Sequence, residues 1–367
     1  MPLDTTRRPH AVATSPLEAL SASDGTPPST PAFGPGGLRR PKGLIMPREL
    51  YEPSNVFGLR GVLAIGGGLC LCLAPLSFLG HAASLWWLVA LVPLMGAYIY
   101  KLTIVLHECG HRTLFTSRRV NEMVGRACAG LLGVSYAGFT SSHWDHHRYC
   151  GTRDETGEGD YLRLEHASAG QMVWHLVRPL TGVAYLRTLA DYLTPRTGGP
   201  TREASELDAA IGGAAPPRIG SALGDSAWIA GTQLVVAALA TGVGRSWWPA
   251  LVYPATAATF GLFFSRVRAF CEHVSAHRAP GQCFVRSHMP NPFDRVFFYT
   301  LNMNLHVEHH FFPQVPACRL WAVRERLRAA GVLEPEMTST SVLRTIRECL
   351  ADARRRDTSD RTRAQSA

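Results

Sequence analysis

The sequence contains no CxxC pair, although it has nine cysteines. Structural zinc sites often use cysteine pairs at that spacing, so no such site is indicated. The cysteines are odd in number and scattered, with Cys70 and Cys72 inside an apolar run, so no disulfide framework is indicated. We therefore expect reduced thiols, as in an intracellular protein.

Basic residues are in excess, but they are not interleaved with aromatic side chains as on a nucleic-acid-binding surface. The formal net charge is +9, and 46% of the residues are hydrophobic. The apolar residues form long blocks, so a basic surface beside a lipid bilayer is the better interpretation, and no nucleic acid partner is expected. No charged segment leads directly into an apolar stretch near the start, so a cleaved signal peptide is not predicted.

Composition divides the chain into three parts. Residues 1–45 are rich in Pro, Ser, Thr, Ala and Gly without a periodic apolar face, which predicts a disordered tail. Residues 46–340 are predicted to form one membrane domain, and 341–367 to form the end of a helix and a mobile tail. Within the domain, the Pro- and Gly-rich stretch 194–218 is predicted to be a linker.

The domain contains apolar segments at 61–80, 82–100, 227–244 and 246–265. Each approaches the roughly 20 residues that a helix needs to cross a ~30 Å hydrocarbon core. The sequence thus predicts an all-α integral membrane protein with about four transmembrane helices in two hairpins. Two further stretches, 124–141 and 171–193, are predicted to lie at the membrane interface, with buried packing as an equal alternative.

The distribution of positive charge predicts the orientation of these hairpins. The turn near His81 has no Lys or Arg, and the turn near Gly244 has only Arg245. The opposite side is basic, which places both termini and the histidine motifs described next in the cytoplasm. Its basic residues are Arg39, Arg40, Lys42, Arg48, Arg112, Arg118, Arg119, Arg148, Arg266 and Arg268.

Three histidine-rich motifs carry the chemistry of the chain: HECGH at 107–111, HWDHH at 143–147 and HVEHH at 306–310. Residues at i and i+3 or i+4 share a helix face, so each motif presents imidazoles together. Eight imidazoles exceed the roughly six ligands of one ion, which indicates two ions. Adjacent histidines diverge by about 100° on a helix and can serve different ions. This excess of imidazole favours a redox-capable metal such as iron over structural zinc.

A ninth histidine is predicted from its height above the membrane. On a helix rising 1.5 Å per residue, His107 lies about 9 Å beyond Lys101, and His273 lies about 12 Å beyond Ser265. Both would stand just above the bilayer, so His273 is a predicted ligand. His277, one turn further on, is the alternative residue for the same role. A simpler alternative is that His273 is a solvated histidine near the membrane and binds no metal.

The three motifs in this order, with two membrane hairpins between them, resemble the membrane fatty acid desaturase superfamily of integral-membrane non-haem di-iron enzymes. The resemblance covers roughly residues 50–340, and the third motif continues into Pro313 and Pro316, similar to the HHxxPxxP extension of acyl desaturases. It implies a cytoplasmic helical cap holding two iron ions (Fe2+/Fe3+), with O2 as co-substrate. The implied ligands are His107, His111, His143, His146, His147, His306, His309 and His310, with His273 as the best match for an additional one.

Ligating imidazoles need hydrogen-bond acceptors for their second ring nitrogen. Carboxylates within or beside the motifs are candidates for this role, and each could equally be a solvated charge. Two asparagines before the third motif are candidates for orienting a water, with helix-end hydrogen bonding as their alternative. These candidates are Glu108, Asp145, Asp154, Asp160, Glu272, Glu308, Asn302 and Asn304.

The resemblance implies an O2-dependent desaturase that introduces a double bond into a fatty acyl chain, carried as an acyl-lipid, acyl-CoA or acyl-carrier substrate. One alternative keeps the site and changes the product, as a hydroxylase or ketolase of a lipid, carotenoid or amino-acid-derived metabolite. Another alternative is a non-catalytic metal-binding membrane protein.

Electrons for such chemistry would come from a separate protein. The chain has no His-Pro-Gly-Gly haem signature, no ferredoxin cysteine pattern and no dinucleotide-binding loop. A ferredoxin, or cytochrome b5 with its reductase, is the expected donor. Arg118, Arg119 and Arg126 are predicted to dock an acidic donor, and lipid phosphate is an equal candidate for the same arginines.

Overall fold

The computed structural model describes residues 33–34, 37–38, 43–78, 81–150, 164, 167–186, 222–244, 247–275 and 284–365. These residues are mostly helical, as the sequence predicts. The strands among them are two-residue pairs: β1 (Phe33–Gly34) runs antiparallel to β2 (Gly37–Leu38), and β3 (Ser287–His288) parallel to β4 (Thr338–Ser339). The predicted linker at 194–218 and nearly all of the predicted tail at 1–45 lie outside the described residues.

The first two long helices are α1 (Asn55–Phe78) and α2 (His81–His111), which pack against each other. Asn55 Nδ2 donates to Thr116 Oγ1 at 3.0 Å, so α1 begins beside the segment that follows α2. Gly68 permits close approach within this pair, since a Cβ there would lie 2.1 Å from the Tyr98 ring. As predicted, α2 continues past Lys101 and ends in the first histidine motif.

Three segments have the length and composition of a membrane-spanning helix: Arg48–Pro75, Trp87–His111 and Ala250–His273. They correspond to the first, second and fourth apolar segments of the sequence. The third apolar segment lies in the 23-residue helix Ala222–Gly244, which is α6 in chain order. This helix is not one of the three membrane-spanning candidates. The four-span arrangement therefore stays a prediction.

The predicted interfacial stretch 124–141 forms parts of two helices, α3 (Arg118–Leu132) and α4 (Tyr136–Tyr149). Gly133 separates them with φ of 71°, a left-handed conformation that favours glycine. Gly130 lets α3 approach α6, because a Cβ there would lie 2.3 Å from Thr232 Oγ1. Of the second predicted stretch, 171–193, the structure describes α5 (Ala169–Val177), a 3-10 turn at Arg178–Thr181 and the residues up to 186.

The fourth apolar segment is longer and less regular than the sequence predicts. It consists of α7 (Pro249–Thr256), a π-helical turn at Ala257–Gly261 and α8 (Leu262–His273). Because the helix continues beyond residue 265, it carries His273 at its last position.

The remaining described helices follow α8 in the chain, and together they are called the cap. They are α9 (Pro292–Phe297), α10 (His306–Phe311), α11 (Leu320–Ala329) and α12 (Val342–Gln365). Residues 341–367 were predicted to be the end of a helix and a mobile tail, and the structure has helix α12 there as far as Gln365.

Candidate metal centre

The structure brings nine histidines into two groups, which are the nine predicted as ligands. Within each group, the possible ligand atoms lie within 4.8 Å of one another. His277, the predicted rival of His273, lies outside the described residues. The five-histidine group is His107, His111, His143, His147 and His309, and the four-histidine group is His146, His273, His306 and His310.

Each pair of histidines four residues apart within a motif lies on one helix face, with the two rings edge to face. The ring centroids are 4.8 Å apart for the pair in α2, 4.6 Å apart for His143 and His147 in α4, and 4.5 Å apart for His306 and His310 in α10. Adjacent histidines separate instead. In α4, His146 belongs to the four-histidine group and His147 to the five-histidine group, and the adjacent pair in α10 divides in the same way. The two helices therefore bridge the groups.

The ligand nitrogens of the five-histidine group have the separation expected around one ion. His143 Nε2 lies 3.0 Å from His111 Nε2 and 3.0 Å from His147 Nε2, and His309 Nε2 also lies 3.0 Å from His147 Nε2. Two nitrogens about 2.1 Å from one ion are ~3.0 Å apart at a right angle and ~3.4 Å apart at the tetrahedral angle. Five converging imidazoles also exceed the four ligands of a tetrahedral zinc site.

The four-histidine group has similar spacing. His306 Nε2 lies 2.9 Å from His273 Nε2 and 3.2 Å from His310 Nε2. The His146 ring completes the group, with centroids 4.7 Å from His273 and 5.0 Å from His310. Converging ring nitrogens without a cation between them would be poorly paired, so this donor set fits a bound metal ion.

Burial keeps these imidazoles neutral, which is the form that binds a metal. It is the largest cause lowering the pKa of His143, His147, His306, His309 and His310 well below the usual 6.5, and neighbouring imidazoles lower each further. Neutral imidazoles give a bound divalent ion no charge compensation, so the centre stays strongly cationic unless a carboxylate contributes.

Glu108, one of the predicted acceptors, contacts the ring of His107. Its Oε1 lies 3.2 Å from His107 Nδ1, and its Oε2 accepts from Thr113 Oγ1 at 3.0 Å and from the Ala317 backbone N–H at 3.2 Å. His107 Nε2 is buried without a hydrogen-bond partner in the described part of the chain. Glu108 thus orients His107 from behind and leaves its other nitrogen for a metal.

Acceptors were also expected behind the other ligands. Within the described residues, the buried Nδ1 atoms of His111, His147 and His306 have no hydrogen-bond partner. Asp154 and Asp160, two of the predicted acceptors, lie outside those residues, and Asp145 is part-exposed on α4.

The contacts of Glu308 differ from the predicted one. Its side chain forms a buried ion pair with Arg324, and its Oε2 accepts from Ser287 Oγ at 2.5 Å. Ser287 Oγ in turn accepts from the Val307 backbone N–H at 2.9 Å. These contacts fix α10 to β3 and α11, because the side chain of Glu308 leaves the helix on a different face from the imidazoles.

The two asparagines bond to backbone, as their helix-end alternative predicts. Asn304 Nδ2 donates to His288 O at 2.8 Å, and Asn302 Nδ2 donates to Ala317 O at 3.1 Å. Asn302 also has φ of 55°, a left-handed conformation that asparagine tolerates. Both residues shape the loop that enters α10.

Glu272 and Arg268 form a buried pair on α8, beside the four-histidine group. Arg268 Nε donates to Glu272 Oε1 at 2.7 Å, and Glu272 Oε2 lies 3.4 Å from His306 Nε2. Arg268 was not among the predicted site residues. The i, i+4 spacing of an arginine and a glutamate directly before His273 was the available signal.

A small cavity of about 90 Å³ opens onto histidines of both groups, with a mixed polar and apolar lining. It lies where a molecule could meet both histidine groups, since His107 and His143 belong to one group and His146, His273 and His306 to the other. The other lining residues are Tyr100, Thr103, Phe139, Ser265, Arg268, Ala269 and Glu272.

Comparison with known protein families adds a match over most of the membrane domain. A family model described as fatty acid desaturase matches residues 84–337, which include all nine histidines.

Individual relatives match shorter stretches. An sn-1 acyl-lipid omega-3 desaturase (ferredoxin) of Synechocystis sp. is 30% identical over 131 residues, 35% of each chain. An endoplasmic reticulum omega-3 fatty acid desaturase of Vigna radiata is 28% identical over 127 residues, 33% of this chain and 30% of that one. A fatty acid desaturase of Bacillus subtilis is 27% identical over 89 residues. The matched part spans about a third of the length of the first two relatives.

Proposed function

Because this chain belongs to the fatty acid desaturase family, we propose that it is an oxidoreductase that introduces a double bond into a fatty acyl chain, with O2 as co-substrate. The observation that carries the proposal is the convergence of nine histidines, all buried except the part-exposed His143, into two groups whose ligand nitrogens have metal-ligand spacing. Two bound iron ions would supply O2 activation and hydrogen abstraction from an unactivated carbon.

The residues of the chain have defined tasks in this proposal. Glu108 orients the His107 ring through Nδ1, and the Glu308–Arg324 pair holds α10 against α11. The buried histidines exclude bulk water from the centre, since water would compete for ligand positions and quench a strong oxidant. The cavity beside both groups is the place where the reacting carbon would lie.

We also propose the four-span topology with the site on the cytoplasmic side. Contacts at the site support it: Asn55, at the start of α1, bonds Thr116, and Asp225, in the first turn of α6, accepts from the Ala137 backbone N–H at 2.8 Å. The starts of α1 and α6 and the ends of α2 and α8 thus share one side. Each pair of helices leaves that side and returns to it, as a hairpin through the bilayer would.

A separate donor would supply electrons, and a ferredoxin is the first to test because one relative carries ferredoxin in its name. Cytochrome b5 with its reductase is the second. Arg118 and Arg119 are exposed and available for an acidic donor or for lipid phosphate. Arg126 is not, since its side chain is ion-paired with Asp225 and Glu122.

The test is expression in cells that lack desaturases, followed by profiling of fatty acids and metabolites. The wild-type protein should produce an acyl product two hydrogens lighter than its substrate, and His309→Ala should abolish it by removing a ligand nitrogen. Purified protein should contain about two irons per chain. Persistence of the product in the His309→Ala cells would contradict the proposal.

A hydroxylase or ketolase is the second candidate, because polar groups line the cavity. Thr103, Ser265 and Arg268 stand among the histidines there, and such side chains suit a substrate with a polar group near its reacting carbon. The mass of the product separates the two, since hydroxylation adds one oxygen and desaturation removes two hydrogens.

A further inference from the structure

Glu272 faces a different imidazole nitrogen from the one that an outer carboxylate faces. Its Oε2 lies 3.4 Å from His306 Nε2, the nitrogen that converges with His273 Nε2 at 2.9 Å and His310 Nε2 at 3.2 Å. Glu108 instead approaches His107 at Nδ1. Glu108 is therefore behind its histidine, whereas Glu272 is on the side where the metal binds.

Arg268 holds Glu272 in this position. Its Nε donates to Glu272 Oε1 at 2.7 Å, and its Nη2 donates to Met303 O at 3.2 Å. Glu272 is only 2% exposed and Arg268 9%, so the carboxylate is buried as a charge with a fixed partner. One carboxylate oxygen is thus fixed by the arginine, while the other is directed towards the four-histidine group.

The two groups are unequal in donor number, with five histidines in one and four in the other. An oxygen donor about 2.1 Å from an ion lies ~3.0 to 3.4 Å from a neighbouring ligand nitrogen, depending on the angle. The distance of 3.4 Å from Glu272 Oε2 to His306 Nε2 falls at the wide end of that range. The four histidine ligand atoms all lie within 4.8 Å of one another, and the Glu272 carboxylate is not part of that group. It therefore lies at the edge of the group, next to His306.

We propose that Glu272 is the fifth protein donor of the four-histidine metal ion, binding through Oε2 while Arg268 holds Oε1. Both ions would then have five protein donors, but only one would have a carboxylate. The two ions would differ in charge and electron density, and the cavity would open onto the ion with the carboxylate as well as onto its neighbour. This inference rests on the proposed two-iron function.

The experiment compares purified full-length wild type with Glu272→Gln, both loaded anaerobically with 57Fe(II). Iron content, Mössbauer spectra and competition with a chelator are measured. The wild type should hold two irons and show two quadrupole doublets of equal area. In Glu272→Gln, one doublet should shift or disappear and one iron should bind at least about 100-fold more weakly, because loss of a direct ligand exceeds the 10- to 100-fold effect of an outer partner.

Glu108→Gln is the matched control. It makes the same change in a buried carboxylate that contacts Nδ1 of His107, the nitrogen on the side away from the metal. It should leave the doublet that Glu272→Gln alters unchanged. Glu272→Asp serves if Glu272→Gln does not fold, since it keeps the charge opposite Arg268 and withdraws the oxygen by one methylene. It should retain two irons and move the same doublet.

Each result separates this proposal from the function on which it rests. A wild type with two irons whose doublets and iron affinities are unchanged in the Glu272 variants would overturn the role of Glu272 alone. Equal spectral changes in Glu108→Gln and Glu272→Gln would assign Glu272 to the outer position and overturn the proposal too. A wild type that holds fewer than two irons would refute the two-iron function itself.

Discussion

Asp225 connects the helix that begins the second predicted hairpin to the helix that carries the second histidine motif. The carboxylate is 2% exposed and forms an ion pair with Arg126. It also accepts from Ser135 Oγ at 2.5 Å and from the Ala137 backbone N–H at 2.8 Å, both at the start of α4. Replacing Asp225 by Ala removes all three contacts at once.

The loss of stability in Asp225→Ala can be estimated from the burial of the ion pair. Breaking a buried ion pair by removal of one partner costs about 3 to 5 kcal/mol, since the remaining charge is left without compensation. Arg126 keeps a second carboxylate partner, Glu122, whose side chain is 51% exposed, so the lower end of that range applies. We expect Asp225→Ala to lower the free energy of unfolding by about 3 kcal/mol. Asp225→Asn retains an acceptor for Ser135 or Ala137 and should cost about half as much.

Thermal unfolding of the purified protein in detergent, with and without iron, measures this effect. At roughly 2 °C per kcal/mol, Asp225→Ala should lower the midpoint by about 6 °C. The control is Glu348→Ala, because Glu348 is 56% exposed and pairs with Arg344 at the i, i+4 spacing on α12. It should shift the midpoint by less than about 2 °C. Equal midpoints for Asp225→Ala and Glu348→Ala would refute the assignment of Asp225 as a buried tether.

Three further predictions concern the metal centre and the cap. His309→Ala removes one of five convergent nitrogens, so iron content should fall from about two per chain to one or fewer; unchanged iron would contradict the grouping. Glu308→Gln leaves the buried Arg324 without its carboxylate and should lower the free energy of unfolding by about 3 kcal/mol. Thermal unfolding measures this, and a loss of less than about 1 kcal/mol would show that the pair is solvated. Burial lowers the pKa of His288 from 6.5 to about 3, so the unfolded chain binds a proton that the folded one does not as pH falls below 6.5. Metal-free protein should therefore lose about 1.3 kcal/mol of stability between pH 7 and pH 5.5 from His288 alone. His288→Asn should reduce that slope, and an unchanged slope would contradict the role of His288.

The sequence predicted the helical architecture and the nine clustered histidines because both depend on local spacing. Apolar runs of about 20 residues and histidines four apart have the same meaning wherever the chain places them. His273 could be predicted for a related reason, because the height of a residue above the membrane follows from the rise per residue of the helix. The π turn between α7 and α8 could not be predicted from spacing, since it lies at a tertiary contact: Phe260 Cβ is 2.3 Å from where a Cβ on Gly96 of α2 would be.

The contacts of the carboxylates could not be predicted from spacing. Glu108, Glu272 and Glu308 all lie beside a histidine in sequence, yet one faces the distal nitrogen of an imidazole, one faces a metal-side nitrogen and one pairs with Arg324. Arg324 is 16 residues from Glu308 along the chain, and Ser135 is 90 residues from Asp225. Which partner a buried charge finds depends on how the helices pack.

Local spacing in the sequence was thus enough to predict which histidines come together, namely those of the three motifs and His273, because the 3.6-residue turn fixes the helix face of each. How they divide into two groups depends on the packing of the helices. His146 and His147 enter different groups, as do His309 and His310, whereas α2 contributes only to the five-histidine group and α8 only to the four-histidine group. Spacing along a helix sets the angle between neighbouring side chains, but packing against the other helices sets which ligand nitrogens meet.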